Sequence, residues 1–317
     1  MIIEVIFLVL GLVLLVVGSD LLLRSSIDLS LKYNVSKLVI GLTIVSFATS
    51  APELLISISS VLKNSSDIAI SNVIGSNIAN IGLVFSIALL FVTINIKKEN
   101  IKYDFPWLII VSLLFIWFLQ DSQIDRFEGV VFTSVLVLFI IFSFKVRANE
   151  SEDLDDLSTS NMSLSKIFIY LALSSILLYS GSELFVESSI FFANYFGVSE
   201  RVIGLTMVAM GTSLPELATT LVAINKKELD ISIGNIIGSN IFNILAVIGI
   251  TSIIRTLSIK SSEILSFDIY VMFALAQCLE YFSFFPESIE CTQFMGYFYY
   301  QHFFYITSLY YKKNTPN

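Results

Sequence analysis

Read for its pattern of hydrophobic and polar positions, the chain is a succession of apolar stretches separated by short polar breaks. The stretches fall near 3–23, 36–62, 67–92, 106–121, 127–145, 165–190, 199–225, 229–254 and 264–283, with a weaker one near 290–311. Stretches of about 18–25 residues are long enough to cross roughly 30 Å of hydrocarbon as single α-helices. In lipid every backbone polar group must be satisfied within the segment, which a helix does. The pattern therefore predicts an all-α integral membrane protein of about ten transmembrane helices. The first stretch carries Glu4 where a signal peptide has a basic segment, and it lacks a small-residue cleavage pattern. Its end also aligns with the internal stretch 167–187, so it reads as a retained helix.

The pattern occurs twice. Gly41-Leu-Thr-Ile-Val-Ser-Phe-Ala-Thr-Ser-Ala-Pro-Glu53 returns as Gly204-Leu-Thr-Met-Val-Ala-Met-Gly-Thr-Ser-Leu-Pro-Glu216. Each copy is followed at the same distance by a second motif, Asn72-Val-Ile-Gly-Ser-Asn-Ile-Ala-Asn80 and Asn235-Ile-Ile-Gly-Ser-Asn-Ile-Phe-Asn243. Segments 35–80 and 198–243 align without a gap and are identical at roughly half their positions. Gly18-Ser-Asp20 likewise matches Gly181-Ser-Glu183, and Ser25-Ser26 matches Ser188-Ser189. Such self-similarity marks a duplicated unit: a first repeat over 1–146, a linker over 147–163 and a second repeat over 164–311.

Composition narrows the class further. Mean hydropathy is +0.84, and 56% of residues are hydrophobic against 14% charged, which excludes a soluble domain. No basic patch with interleaved aromatics is present, so nucleic acid is not a partner; the lipid bilayer is. Cys278 and Cys291 have no metal or redox spacing, and a single histidine, His302, excludes a histidine-rich metal site. The linker gathers Glu150, Glu152, Asp153, Asp155 and Asp156 among Ser, Thr and Asn. It reads as a solvated connector rather than a calcium-sensing loop.

Loop charges then set the orientation. Breaks after the first, third and fifth spans carry Arg24, Lys32 and Lys37, then Lys97, Lys98 and Lys102, then Lys145, Arg147 and Lys166; the opposite breaks of the first half carry only Lys63 and Arg126. The positive-inside rule places the N-terminus outside and the linker in the cytoplasm of a prokaryotic plasma (inner) membrane. With five spans per repeat, an odd number, the second repeat enters from the other side. Two inverted five-helix repeats result, an arrangement that puts substrate sites near the midplane in many secondary transporters.

Glu53 and Glu216 fall deep inside apolar spans, where an ionised carboxylate costs a few kcal/mol and demands a partner. No Lys or Arg lies in spans 2, 3, 7 or 8 to supply one, so a bound cation is the natural counter-charge. Pro52 and Pro215 break the helix just before each glutamate, freeing carbonyls near Phe47–Thr49 and Met210–Thr212. Thr49, Ser50, Thr212 and Ser213 add hydroxyls. Asn72, Ser76 and Asn80 share one helix face at i, i+4, i+8, as do Asn235, Ser239 and Asn243. Gly75 and Gly238 would let that helix approach the broken one closely. Oxygen donors of this kind suit Ca²⁺ or Na⁺ rather than zinc or copper. Taken singly, a Pro-Glu pair reads equally as a kink with a protonated acid, and small polar residues at helical spacing more often serve packing; the duplicated constellation favours a site. Asp20 and Glu183 read as interfacial anchors. Asp67 and Asp230 read as helix caps, and Ser46, Ala48, Ala209 and Gly211 as backbone contributors at most.

The G-T-S-x-P-E and G-N-x-x-G-S-N-x-x-N motifs resemble the two alpha-repeats of the cation/Ca²⁺ exchanger superfamily, in particular its prokaryotic sodium/calcium exchanger-like members. The resemblance runs over about residues 1–275. It implies a ten-helix fold of two inverted five-helix repeats and Na⁺-driven exchange against Ca²⁺ by alternating access, with no enzymatic chemistry and no cofactor beyond the transported ions. It also implies roles: Glu53 and Glu216 as Ca²⁺ ligands shared with Na⁺; Thr49, Ser50, Ser76, Thr212, Ser213 and Ser239 at Na⁺ sites; Asn80 and Asn243 completing the centre; and the carbonyls of Phe47 and Met210 as backbone ligands. Three features depart from the family pattern. The first copy has Ala48 and Ser71 where the second has Gly211 and Gly234, Asn243 stands where some relatives have an acid, and 277–317 is an atypical, aromatic-rich end. A Ca²⁺/H⁺ exchanger on the same fold is the alternative reading, and a cation channel a more distant one. An intramembrane hydrolase lacks a base for its serines.

Overall fold

The computed structural model describes residues 1–92, 100–146, 162–197 and 209–282. These form helices α1 (Ile2–Tyr33), α2 (Lys37–Thr49), α3 (Ala51–Leu62), α4 (Ser66–Phe91), α5 (Lys102–Asp121) and α6 (Arg126–Val146). The second half follows with α7 (Leu164–Tyr195), α8 (Ala209–Thr212), α9 (Leu214–Asn225), α10 (Leu229–Ile254) and α11 (Ile269–Phe282). Among the described residues six helices are long and apolar enough to cross a membrane, or seven if the bent pair α2–α3 is one span. The expectation of an all-α membrane protein is met. Residues 147–161 of the linker, the start of the seventh span as far as 208 and the weak tenth span near 290–311 lie outside the described residues, as do Cys291 and His302.

α1 and α7 are longer than their apolar cores. Both have 32 residues, or about 48 Å at 1.5 Å per residue, so each exceeds the hydrocarbon thickness. α1 stops only at Asn34, whose left-handed φ of 52° lets its N–H reach back to Leu31 and Ser30 carbonyls. The two helices pack along each other where small residues permit it. A Cβ on Gly11 would sit 2.7 Å from the Phe185 backbone nitrogen, and one on Gly181 2.9 Å from the Gly11 carbonyl. Their outer faces expose Ile2, Ile6, Val9, Val13, Phe168 and Ile176, as a lipid-facing pair should.

α4 and α10 are the most enclosed spans, with 78% and 89% of their apolar windows buried, against 39% or less for the others. They carry the Asn/Ser motifs, so the polar faces lie at the centre of the molecule. Asp20 lies within α1 rather than at its end, paired with Arg24 at 2.7 Å and with Lys226. The capping expected of Asp67 is not what its carboxylate does: it accepts from the Lys260 backbone N–H at 2.9 Å, and no side chain caps α4. Asp230 stands in the first turn of α10, which also starts without a side-chain cap.

The interhelical segments meet in two groups. Lys37 binds Glu228 at 2.8 Å, and Lys32 donates to the Met162 carbonyl at 3.0 Å. Elsewhere β1 (Gln123–Ile124) pairs antiparallel with β2 (Leu257–Ser258), near the Asp67–Lys260 bond.

Candidate cation site

The site is built where two broken or wide-turned elements from each half converge. α2 ends and α3 starts at Ser50, whose φ of −85° and ψ of 5° bend the pair by 43°. Pro52 causes the break: in the first turn of α3 its missing N–H costs nothing to that helix, but it cannot serve the Ala48 carbonyl. Ser213 has the same conformation, φ −87° and ψ 5°, before Pro215 in α9. There the freed Gly211 carbonyl accepts instead from the Ser182 hydroxyl of α7 at 2.6 Å. α4 and α10 each widen into a π-helical turn, starting at Asn80 and at Asn243. Such turns cluster at functional sites because they re-aim side chains and loosen the backbone ladder.

Glu53 and Glu216 are both fully buried and close enough to interact electrostatically. Ser50 Oγ donates to Glu216 Oε1 at 3.3 Å. Both Glu53 oxygens and Glu216 Oε2 have no hydrogen-bond partner among the described residues. Thr49 Oγ1 lies 3.0 Å from Asn235 Oδ1 and 3.2 Å from Ser239 Oγ. Asn243 Nδ2 donates to Ser76 Oγ and Asn77 Oδ1, each at 3.0 Å. The Asn80 carboxamide, Ser213 Oγ and Asn243 Oδ1 are buried and unpartnered.

Three oxygens of the two carboxylates, with amide and hydroxyl groups of Asn80, Asn243 and Ser213, are thus buried without partners. Leaving such groups unsatisfied is costly, and a hard cation is the species that satisfies them together. Among the described residues no group of three or more His, Cys, Asp or Glu side chains is placed to hold a metal ion, so Glu53 and Glu216 are the two acids of the candidate site. Phe47 turns its ring outward, half exposed and edge-on to Phe242 at 6.1 Å, leaving only its carbonyl for the site. Thr212 is half-buried, and the Met210 carbonyl belongs to the short α8.

Close approach of α2 to α10 is what brings Thr49 to Asn235. A Cβ on Gly238 would meet Ser46 Oγ at 2.2 Å and the Leu42 carbonyl at 2.5 Å, so only glycine fits. Ser46, expected to act through its backbone at most, uses its side chain: Oγ donates to the Gly41 carbonyl at 2.7 Å and to Asn235 O at 3.1 Å. Asn72 shares the motif face with Ser76 and Asn80. Its Nδ2 donates to the Glu53 carbonyl at 3.2 Å and to Ser57 Oγ at 3.1 Å. The signal was present, since Ser57 stands one turn beyond Glu53 and Thr220 one turn beyond Glu216.

A membrane-embedded helical fold with two buried glutamates beside prolyl breaks defines an ion-carrier class. Comparison with known proteins makes it particular. The family model described as sodium/calcium exchanger protein matches residues 3–145 and 166–310, reaching beyond the 275 or so residues over which the motifs alone extend. The chain belongs to the sodium/calcium exchanger family, whose members are antiporters rather than enzymes. It is 38% identical over 285 residues to CaxA of Alkalimonas amylolytica, covering 88% of this chain and 89% of that protein. It is 33% identical over 311 residues to the sodium/calcium exchanger MaX1 of Methanosarcina acetivorans, covering 86% and 89%. A solved structure of the sodium-calcium exchanger NCX_Mj aligns with a TM-score of 0.79 at 28% identity, over 97% of this chain and 98% of that one.

Proposed function

We propose that the chain exchanges Na⁺ for Ca²⁺ across a prokaryotic plasma membrane by alternating access, at one midplane cage. Glu53 and Glu216 are the Ca²⁺ ligands and are shared with Na⁺. Thr49, Ser50, Ser76, Thr212, Ser213 and Ser239 supply hydroxyls, Asn80 and Asn243 amide oxygens, and Phe47 and Met210 carbonyls. The observation that carries this reading is the pair of fully buried carboxylates with unpartnered oxygens and, among the described residues, no ion-paired Lys or Arg. Two uncompensated charges at the midplane oppose reorientation of the empty carrier. Either Ca²⁺ or Na⁺ must fill the cage first, and that requirement couples the two fluxes.

The interhelical contacts support the alternation of ends that two inverted repeats require. Lys32, Lys37, Met162 and Glu228, which this topology puts on the linker side, do meet. So do the segments it puts on the opposite side, β1 with β2 and Asp67 with Lys260.

Calcium uptake into Na⁺-loaded proteoliposomes diluted into Na⁺-free buffer tests the reading. Uptake should require the outward Na⁺ gradient and vanish in Glu53→Gln and Glu216→Gln. Uptake driven by a pH gradient instead would replace Na⁺ with H⁺ as the coupled ion.

A further inference from the structure

The two sequence copies are nearly symmetric, but their polar contacts are not, and the asymmetry is of one kind throughout. Thr49 of the first copy reaches Asn235 of the second at 3.0 Å, whereas its counterpart relation, Thr212 to Asn72, is unmade: Asn72 instead binds the Glu53 carbonyl and Ser57 inside its own repeat. Ser50 reaches Glu216 at 3.3 Å, whereas Ser213 Oγ and both Glu53 carboxylate oxygens are unpartnered. Asn243 reaches Ser76 at 3.0 Å, whereas the Asn80 carboxamide has no partner. Finally, the equivalent of the Asn72–Ser57 bond is Asn235 with Thr220. There Asn235 Nδ2 and Thr220 Oγ1 are both buried and unpartnered.

We infer that Asn72 and Asn235 are the two arms of a conformational switch, each alternating between its own repeat's hydroxyl (Ser57 or Thr220) and the other repeat's threonine (Thr212 or Thr49). The inference rests on the alternating-access reading above and deepens it. In the observed state Asn235 is engaged across the repeats and Asn72 is engaged within its own. The opposite state is the mirror image: Asn235 releases Thr49 to hold the Glu216 carbonyl and Thr220, while Asn72 releases Ser57 and turns to Thr212. Ser213, one Glu53 oxygen, Asn80 Nδ2, Asn235 Nδ2 and Thr220 then each find the partner that their counterparts already have. Burying a donor or acceptor without a partner is costly, so Thr220 and the Asn235 amide are intelligible as the vacated half of a two-state contact. Because α2 packs on α10 through Gly238 and Lys37 binds Glu228, the observed state is the one closed at the Lys37–Glu228 end.

Ser57 and Thr220 lie outside the proposed ligand set, which makes them the residues to test. Ser232, buried near the Lys37–Glu228 end with an unpartnered hydroxyl, is the reporter. In a Ser232→Cys chain with Cys278→Ser and Cys291→Ser, maleimide labelling is followed in detergent without Na⁺ or Ca²⁺. Ser57→Ala removes a bond of the observed state and should speed labelling about three- to fivefold, the population change that one hydrogen bond commands. Thr220→Val removes a bond of the opposite state and should slow it by a similar factor, while Thr220→Ser, which keeps the hydroxyl, should label at the parental rate. Thr49→Val should act in the same direction as Ser57→Ala, and it serves if Ser57→Ala does not elute as a folded monodisperse protein. Shifts of Ser57→Ala and Thr220→Val in the same direction, or no shift in either, overturn the switch. The readout involves no transported ion: loss of Na⁺-driven uptake in the parent chain would contradict the exchange reading, whereas the labelling pattern alone decides the switch.

Discussion

A carboxylate placed at the middle of a membrane costs a few kcal/mol unless something offsets its charge, and here two lie within electrostatic reach of each other. In ion-free detergent, Glu53→Gln should therefore melt no lower than the wild type, because it removes a charge that no described residue compensates. The same substitution should abolish stabilisation by Ca²⁺, which for the wild type amounts to about 2.7 kcal/mol at a hundredfold excess over Kd. Thermal melts with and without Ca²⁺ check both statements, and a strongly destabilised, still Ca²⁺-responsive Glu53→Gln would contradict them. The residue types at the candidate site were legible in the sequence, since hydroxyl, proline, glutamate and asparagine recur in register in both copies. Their pairing was not. A duplicated sequence is symmetric by construction, while the contacts of Asn72 and Asn235 differ because one folded state must choose between equivalent partners.

Among the elements, the prolyl breaks were the most readable feature, because Pro52 and Pro215 remove a specific backbone donor wherever they stand in a helix. The lengths of α1 and α7 were less so. Hydropathy marks where a helix meets hydrocarbon, and it does not see Ser25, Ser26 and Ser30, which extend α1 by burying small polar side chains against neighbours. The π turns at Asn80 and Asn243 leave no pattern in hydropathy either. Close packing of α2 on α10 yields a graded expectation. Gly238→Ala would drive a Cβ to 2.2 Å from Ser46 Oγ and 2.5 Å from the Leu42 carbonyl, so it should lower stability by about 1–3 kcal/mol and weaken Ca²⁺ binding by displacing Thr49. Gly211→Ala meets a Val186 methyl at 2.6 Å, and its counterpart Ala48 is already an alanine, so its cost should be smaller. Melting of the two purified variants decides the order.

At the scale of the whole molecule, duplication gives two copies of the motifs, and the enclosed pair α4 and α10 carries the Asn/Ser motif of each. The ends of the helices hold the halves in register. Lys37 and Glu228 are 25% and 17% exposed, and a pair so placed should show a coupling energy of about 0.5–1 kcal/mol in a double-mutant cycle of Lys37→Ala and Glu228→Ala. Additive single effects would mean that this contact does not join the halves. The membrane-spanning class was legible because hydropathy is a property of sequence alone, whereas Lys37–Glu228 and β1–β2 depend on which ends fold together. The central claim, that glutamates from opposite halves form a single cation site shared by Ca²⁺ and Na⁺, is tested most directly by equilibrium radiocalcium binding to the purified protein at rising Na⁺. It should show saturable Ca²⁺ binding that Na⁺ displaces and that disappears in Glu53→Gln and in Glu216→Gln alike. Calcium binding that ignores Na⁺, or that survives both substitutions, would contradict it.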